Sequence, residues 1–514
     1  MVGSFPIVLD SLGVDLMWNF SIAKTMPVLI AVTIFFSPII TSKVDATIQD
    51  DWSPKISLGG SHTCAIRNDN SLWCWGMNVD GQIGNSDTQT CFNGASHFCQ
   101  EYNHYSWTKI ASGSEHTCAI RSNSTLWCWG RNNFGQLGNN ISTESATTKP
   151  TLISSQLWSQ ISAGDRYTCG IRSAGSLWCW GRNSNGQLGV NDKTNRTTPT
   201  QVGTTTNWTA ISTASGQTCG IQSPGTLWCW GRWGTNTSDS LVPVKVQDST
   251  GTAATDWKQV SIGGNGNGVN HICGIRGIDA LYCFGWNSTG ELGLSDSNNR
   301  QYPTRLTGAW STIVTGANHT CAIKSLGVFC WGDNQFGQLG SGDYLVRDKP
   351  TREYTAGNWT SVFASSWHTC ARKSDFSISC WGNNTNAQLG RTTALNWDSY
   401  PEIVKGASYN SSRPTIAGIA KKGQILTANE GTWAGRPTPS ISYQWYSCTS
   451  SQPNGYQTSM PSGCTTISGA NSRTFTIPSN QVGKFLLVQV AASQSAITNF
   501  NDRARSATTL AITN

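Results

Sequence analysis

Between Trp52 and Gly390, apolar and small polar residues alternate in short runs broken by Gly, Asn and Ser. An alternation of period two predicts β-strands, and the breaks predict turns. The whole pattern recurs. Seven copies open at Trp52, Trp107, Trp158, Trp208, Trp257, Trp310 and Trp359, about fifty residues apart, a period typical of propellers and solenoids. In the third copy Trp158-Ser159-Gln160-Ile161 reads as a first strand. Tyr167 to Arg172 and Leu177 to Trp180 read as a hairpin around Ser173-Ala174-Gly175, and Pro199-Thr200-Gln201-Val202 reads as a fourth strand. Counterparts of that last strand recur at Pro150, Pro243, Pro303, Pro350 and Pro401. Four short strands per copy make a propeller blade.

Alternation also assigns faces. In the first copy His62, Cys64 and Ile66 point one way, with Leu72 and Cys74 beside them across the turn, while Trp73 and Trp75 cover the opposite face. Seventeen of the 24 tryptophans occupy such repeat positions, which predicts packing between blades. The Cys-Trp-Gly strand is taken as the inner one. The strand Pro401-Glu402-Ile403-Val404 is expected to complete the first blade and close the ring, removing exposed sheet edges.

Cysteine usage adds a compartment. The 18 cysteines resolve into nine local pairs: Cys64 with Cys74, Cys91 with Cys99, Cys118 with Cys128, Cys169 with Cys179, Cys219 with Cys229, Cys273 with Cys283, Cys321 with Cys330, Cys370 with Cys380, and Cys448 with Cys464. An even count at regular spacing points to intrablade disulfides and an oxidising compartment. Zinc is the alternative, but zinc sites use pairs two to four residues apart. Lys24 followed by the apolar run Met26 to Ile40 and by Val44-Asp45-Ala46 has the layout of a secretory leader. An uncleaved anchor is the alternative, and only then would the chain meet a membrane. The expected product is a monomer, secreted or at the cell surface.

Only 12% of residues are charged and the net charge of +7 is spread thinly. No Lys/Arg run suggests nucleic-acid binding. The expected organisation is a leader over 1–46, a seven-bladed propeller over 47–405, a polar linker over 406–413 and a β-sandwich over 414–514.

The repeat phrase Gly-x-x-His-Thr-Cys-Ala, then Cys-Trp-Gly-x-Asn, then Gly-Gln-Leu-Gly is fullest at Gly113 to Gly138 and Gly316 to Gly340. It resembles the repeats of the regulator of chromosome condensation family, in its secreted bacterial type. The resemblance implies a seven-bladed propeller. The family name further implies nucleotide exchange on a small GTPase and chromatin binding, which a secreted, disulfide-bonded chain without a basic arm does not suit. A secreted relative that inhibits a β-lactamase through one face of its ring is the better functional analogue, on fold alone. Two copies depart from the phrase: Arg232-Trp233-Gly234-Thr235 lacks the Gly-Gln-Leu-Gly turn, and Ala387 replaces a glycine. Gly431-Thr432-Trp433, Tyr443-Gln444-Trp445-Tyr446 and Val482-Gly483-Lys484-Phe485 resemble bacterial immunoglobulin-like modules, with Trp445 as the core tryptophan. Such modules serve as spacers or adhesive units.

Chemistry is sparse. His62, His116, His271, His319 and His368 share one repeat position, filled by Tyr167 and Gln217 elsewhere, which suits a turn-holding hydrogen bond better than a metal. No Gly-x-Ser-x-Gly or His-Glu-x-x-His motif occurs. Asp80, Glu115, Asp165, Glu291 and Asp333 differ in repeat position, so convergent carboxylates for hydrolysis are not expected. The reading is therefore no catalytic residue, no metal and no cofactor. Function is expected where the repeat is irregular: the insertion Thr88 to Ser106 with Tyr102, the loop Gly263 to Asn270, and the turn aromatics Phe134, Trp233, Trp286, Phe336 and Trp367. Clustered aromatics on one surface suit a protein or cell-wall partner. Trp367, in a different turn, need not join the others. A secreted hydrolase and a structural adhesion protein are the alternatives.

Overall fold

A computed structural model describes residues 52–86, 88, 99–100, 105–232, 239–264, 270–355, 357–390, 396–404, 409–412, 414–430, 432–434, 440–452, 463–493 and 501–514. From Trp52 to Ile403 these residues form seven four-stranded antiparallel sheets whose strands pair in chain order. They are numbered 1 to 7 along the chain. Sheet 1 comprises Trp52–Leu58, His62–Arg67, Leu72–Gly76 and Cys99–Gln100; sheets 2 and 3 open at Trp107–Ser112 and Trp158–Ala163 and end at Thr143–Ser154 and Arg196–Gln201. Sheet 4 comprises Trp208–Thr213, Gln217–Gln222, Thr226–Gly231 and Ser240–Lys245, and sheet 5 comprises Trp257–Gly264, Asn270–Arg276, Ala280–Gly285 and Arg300–Leu306. Sheet 6 opens at Thr312–Thr315 and ends at Arg347–Arg352; sheet 7 comprises Trp359–Ala364, His368–Lys373, Ile378–Asn383 and Trp397–Ile403.

The second and third strands of each sheet are in register at their cysteines. Cys64 stands opposite Cys74, Cys118 opposite Cys128, Cys169 opposite Cys179 and Cys219 opposite Cys229. Cys273 faces Cys283, Cys321 faces Cys330, and Cys370 faces Cys380 in the same way. Antiparallel pairing brings such directly opposed residues within disulfide reach. All seven pairs are bonded, with Cα atoms 4.0–4.2 Å apart. The expected pairing of Cys91 with Cys99 lies outside the described residues.

Each sheet is buried on both faces, as alternation requires. Cys64, Ile66, Leu72 and Cys74 of sheet 1 pack on Trp107 and Trp129 of sheet 2, whereas Ala65, Trp73 and Trp75 pack on Cys370, Ile378 and Cys380 of sheet 7. The cysteine face of one sheet therefore meets the tryptophan face of the next. Within a sheet the opening indole meets the third-strand indole edge-on, as at Trp158 and Trp180 with centroids 5.7 Å apart, a geometry that aromatic quadrupoles favour.

Three expectations are corrected. The strand nearest the axis is the first one, not the Cys-Trp-Gly strand. Segments such as Ile56–Leu58, Ile161–Ala163 and Ser261–Gly264, drawn from the first strands of all seven sheets, line a central cavity of about 280 Å³. Small residues at these strand ends allow seven backbones to converge there. Ring closure is the second. Trp397–Ile403 pairs with Ile378–Asn383 inside sheet 7, and the fourth strand of sheet 1 is Cys99–Gln100, drawn from the insertion. Sheets 7 and 1 meet instead through side chains: Arg372 Nε donates to Trp52 O at 2.6 Å, and Ser365 Oγ to Gly59 O at 2.8 Å. Third, part of the segment read as linker, Tyr409–Ser412, pairs with Thr432–Ala434.

The C-terminal residues form a three-stranded sheet of Thr415–Ala417, Ile425–Asn429 and Thr474–Thr476, and a four-stranded sheet of Cys464–Thr466, Ser440–Cys448, Phe485–Ser493 and Asn501–Arg505. Both contribute to one core, with Leu426 and Ala428 from the first and Trp445, Val488 and Val490 from the second. Trp445 is fully buried, stacks on Phe475 and donates its indole N–H to Ser472 O at 2.9 Å. The disulfide between Cys448 and Cys464 bridges two neighbouring strands of one sheet.

Candidate protein-binding face

The shared histidine position builds the joints on which the turns rest. His116 Nε2 lies 2.9 Å from Thr168 Oγ1 of the next sheet, and that hydroxyl donates to Gln136 O at 2.8 Å. A hydroxyl has one proton, so Thr168 must accept from the ring, which fixes the Nε2–H tautomer of His116. The indole of Trp180 donates to the same carbonyl at 3.0 Å. The same three-part joint recurs from sheet 1 to 2 through His62, Thr117 and Gln82, and from sheet 7 to 1 through His368, Thr63 and Gln388. Burial holds the imidazoles of His62, His116, His319 and His368 down at about 3, and that of His271 at about 4. In sheet 3 the Tyr167 hydroxyl replaces the imidazole and donates to Gln217 O at 2.5 Å.

The accepting glutamine belongs to the Gly-Gln-Leu-Gly turn, and that turn orients the aromatics. Gln136 Oε1 accepts the Phe134 N–H at 2.9 Å and Asn132 Oδ1 accepts the Leu137 N–H at 3.0 Å; Gln338 holds Phe336 in the same way at 2.9 Å. Gly138, at φ +79°, lets the next sheet close in, since a Cβ there would stand 2.7 Å from Trp180 Nε1.

In a meander the turns after the first and third strands emerge at the same edge. Phe134, Trp286 and Phe336 follow third strands and Trp367 follows a first strand, so all four belong to one face. The structure brings two of them together, and they are the pair from different turns. Phe336 and Trp367 meet at 5.5 Å, and Phe336 also meets Trp397 at 6.3 Å. Trp397 is 37% exposed, while Phe336 and Trp367 are half-buried. Trp397 escaped the sequence reading because it opens a fourth strand, a position with no repeated aromatic. Trp286 stands apart, 36% exposed, with its indole donating to Ser288 Oγ. Phe134 lies 5.5 Å from the Arg166 guanidinium and 5.6 Å from that of Arg182. Trp233, Tyr102 and most of both irregular loops lie outside the described residues. Tyr105, at the end of the insertion, stacks on Trp127 with Arg121 over its ring.

The carboxylates are engaged in structure. Arg131 approaches Glu115 at 3.2 Å and Asp80 at 3.9 Å, Arg166 approaches Glu115 at 3.8 Å, and Arg182 approaches Asp165 at 3.9 Å. Asp80, Glu115 and Asp165 are thus nearer one another than their repeat positions suggested. Burial raises the Glu115 carboxyl above its usual range, against the pull of Arg131 and Arg166. Glu291 accepts the Thr289 N–H and Asp333 the Gln335 N–H, both within turns. Among the described residues no group of three His, Cys, Asp or Glu side chains could hold a metal.

Comparison with known proteins agrees with this architecture. Two family models, both described as the regulator of chromosome condensation (RCC1) repeat, match residues 55–82, 107–136, 158–187 and 310–338, and residues 123–171, 174–221, 279–323 and 327–372. The Ultraviolet-B receptor UVR8 of Arabidopsis thaliana is 28% identical over 392 residues, 73% of this chain and 77% of the receptor. The probable E3 ubiquitin-protein ligase HERC4 of Mus musculus is 27% identical over 213 residues, 39% of this chain but 19% of the ligase. Among solved structures, Prp20p of Saccharomyces cerevisiae superposes with a TM-score of 0.56 at 19% identity, over 65% of this chain and 86% of Prp20p. Yeast RCC1 (Prp20) bound to Kap60 gives 0.57 at 17% identity, over 73% of this chain and 91% of that one. At such identities the likeness speaks for the fold. Several repeats of this chain thus match the regulator of chromosome condensation (RCC1) repeat, and they are set in an all-β propeller of blade-like four-stranded sheets with intrablade disulfides.

Proposed function

We propose that this chain is a secreted, non-enzymatic binding protein that engages a protein partner through the turn face of a seven-bladed ring. The observation that carries the reading is the Phe336–Trp367–Trp397 cluster, partly exposed where two sheets meet. Aromatic groups held in place by the fold lose little entropy on binding and dominate interface energetics. RCC1-repeat propellers generally mediate protein binding, and the solved relatives are described with Gsp1p, histones and Kap60. Buried disulfides inside the sheets favour an oxidising compartment, which in turn disfavours exchange activity on a cytosolic GTPase. A cell-wall glycan remains the secondary partner class. Hydrolysis is the weaker reading because Asp80, Glu115 and Asp165 are ion-paired to arginines.

In this reading residues 1–46 are a bacterial secretory leader, 47–405 the ring and 414–514 an immunoglobulin-like spacer, to which Tyr409–Ser412 of the intervening segment contributes a strand. The shared core around Trp445 supports the last. The test is capture from the producing organism's envelope and secreted fractions by the wild type, Trp367→Ala and Trp397→Ala. Both variants are expected to lose the captured protein at unchanged melting temperature. Capture that survives both substitutions would rule out this face.

A further inference from the structure

Six of the seven seams between successive described sheets carry the joint in which one threonine hydroxyl and one indole donate to a turn carbonyl of the preceding sheet. At the seam from sheet 4 to sheet 5 every participant changes at once. Gln217 stands where His or Tyr stands elsewhere, Ile272 replaces the threonine, and Phe284 replaces the tryptophan. Ile272 and Phe284 cannot donate; both lie in an apolar cluster with Trp257, Val260 and Ile262. Two amides remain. Gln217 is fully buried and Asn270 is 1% exposed, and among the described residues neither the nitrogen nor the oxygen of either carboxamide has a hydrogen-bond partner.

Repeat position assigns both amides to this seam. Side chains at the Gln217 position reach forward to the next sheet, as Tyr167 does to Thr218 and His271 to Thr320. Those at the Asn270 position reach back, as Arg166 does to Phe134 and Glu115. Buried amides without partners are rare because desolvation is then uncompensated. A carboxamide offers two donors and one acceptor, and a peptide unit offers one of each, so the two are complementary.

We propose that the seam between sheets 4 and 5 is a recognition point for the backbone amides of a partner's peptide segment, held by Gln217 and Asn270. The inference rests on the protein-binding reading above. Near the axis the two sheets keep the bond from Ser215 Oγ to Gly264 O at 3.0 Å. In place of the joint of the other six, this seam is closed by apolar packing of Cys219, Ile221, Cys229 and Val246 on Trp257, Ile272 and Phe284, so such a segment reaches the two amides when these contacts part. Binding then satisfies groups that the unbound chain leaves unpaired, which is a differential interaction of the kind that shifts a conformational equilibrium.

The test uses the full chain with ¹⁵N in Gln and Asn side chains, titrated with N-methylacetamide as the peptide-bond probe. The NH₂ signals of Gln217 and Asn270 are expected to move saturably while other side-chain amides stay in place. Gln217→Leu and Asn270→Leu should each abolish the response without lowering the melting temperature, since each removes a buried unpaired group. Signals that do not move, or that show contact only with trapped water, overturn the proposal. Trp367→Ala should leave the titration intact, so the two readings fail separately: titration lost with capture kept refutes the seam, and titration kept with capture indifferent to Trp367 and Trp397 refutes the face.

Discussion

A buried imidazole that must stay neutral makes stability depend on pH. His62, His116, His319 and His368 are held at about 3 and His271 at about 4, against 6.5 for the free side chain. Between those limits the unfolded chain binds the proton and the folded chain does not. The stabilisation from each histidine is therefore complete above about pH 6.5 and is lost as pH falls towards the folded value. Melting temperature should be flat from about pH 8 to 7 and fall steeply below about 6.5. His116→Gln, a residue the chain itself uses at that position, should make the fall shallower by one proton; an unchanged slope would show that the imidazole is not the titrating group. The turn-holding role of these histidines was legible because Tyr and Gln occupy the same position, which no metal site tolerates. Their partners were not legible, since Thr168 is distant from His116 in sequence and only packing joins them. Ala387 shows the converse: its departure was plain, and the backbone keeps φ at +59° all the same, a conformation costing a non-glycine residue roughly 1–2 kcal/mol.

The hairpin formed by the second and third strands is the element most fully written in the sequence. Its register, disulfide and two faces all follow from alternation over a short span, where no distant contact intervenes. Replacing Cys118 and Cys128 together by Ala should lower stability by about 2 to 3 kcal/mol, the effect expected for so short a loop. Denaturant midpoints would check it; a loss much below about 1 kcal/mol would assign the stability to inter-sheet packing instead. Less was legible of the fourth strands. The Pro-containing segments were identified, yet which sheet Trp397–Ile403 joins is a non-local choice, and Cys99–Gln100 lay hidden in an insertion. The Phe336–Trp367–Trp397 cluster escaped for the same reason, because its members come from three different turns and strands.

At the scale of the molecule, the chain ends its sheets where it began them, and the junction is polar. Thr63 Oγ1 lies 3.0 Å from His368 Nε2 and donates to Gln388 O at 2.9 Å. Thr63→Val keeps the shape and removes both bonds, leaving the buried His368 N–H without its acceptor while the Gln388 carbonyl keeps the Trp75 indole, at a cost of about 1 to 3 kcal/mol. Thermal unfolding would measure it, and a neutral outcome would mean that Arg372 and the apolar contacts suffice to hold sheets 7 and 1 together. Repeat period and composition made the architecture legible, whereas the manner of closure was not, because it depends on which neighbours the side chains find.

Each joint points the same way round, from one sheet's imidazole or phenol to the next sheet's hydroxyl. The circuit so formed has a direction and a single gap, and the gap lies far around the circle from the chain ends. Loaded mechanically, such a ring should open first at that gap, into one arc running from sheet 5 through sheets 7 and 1 to sheet 4. The place where the polypeptide begins and ends would hold, and the fracture would run through the middle of the chain.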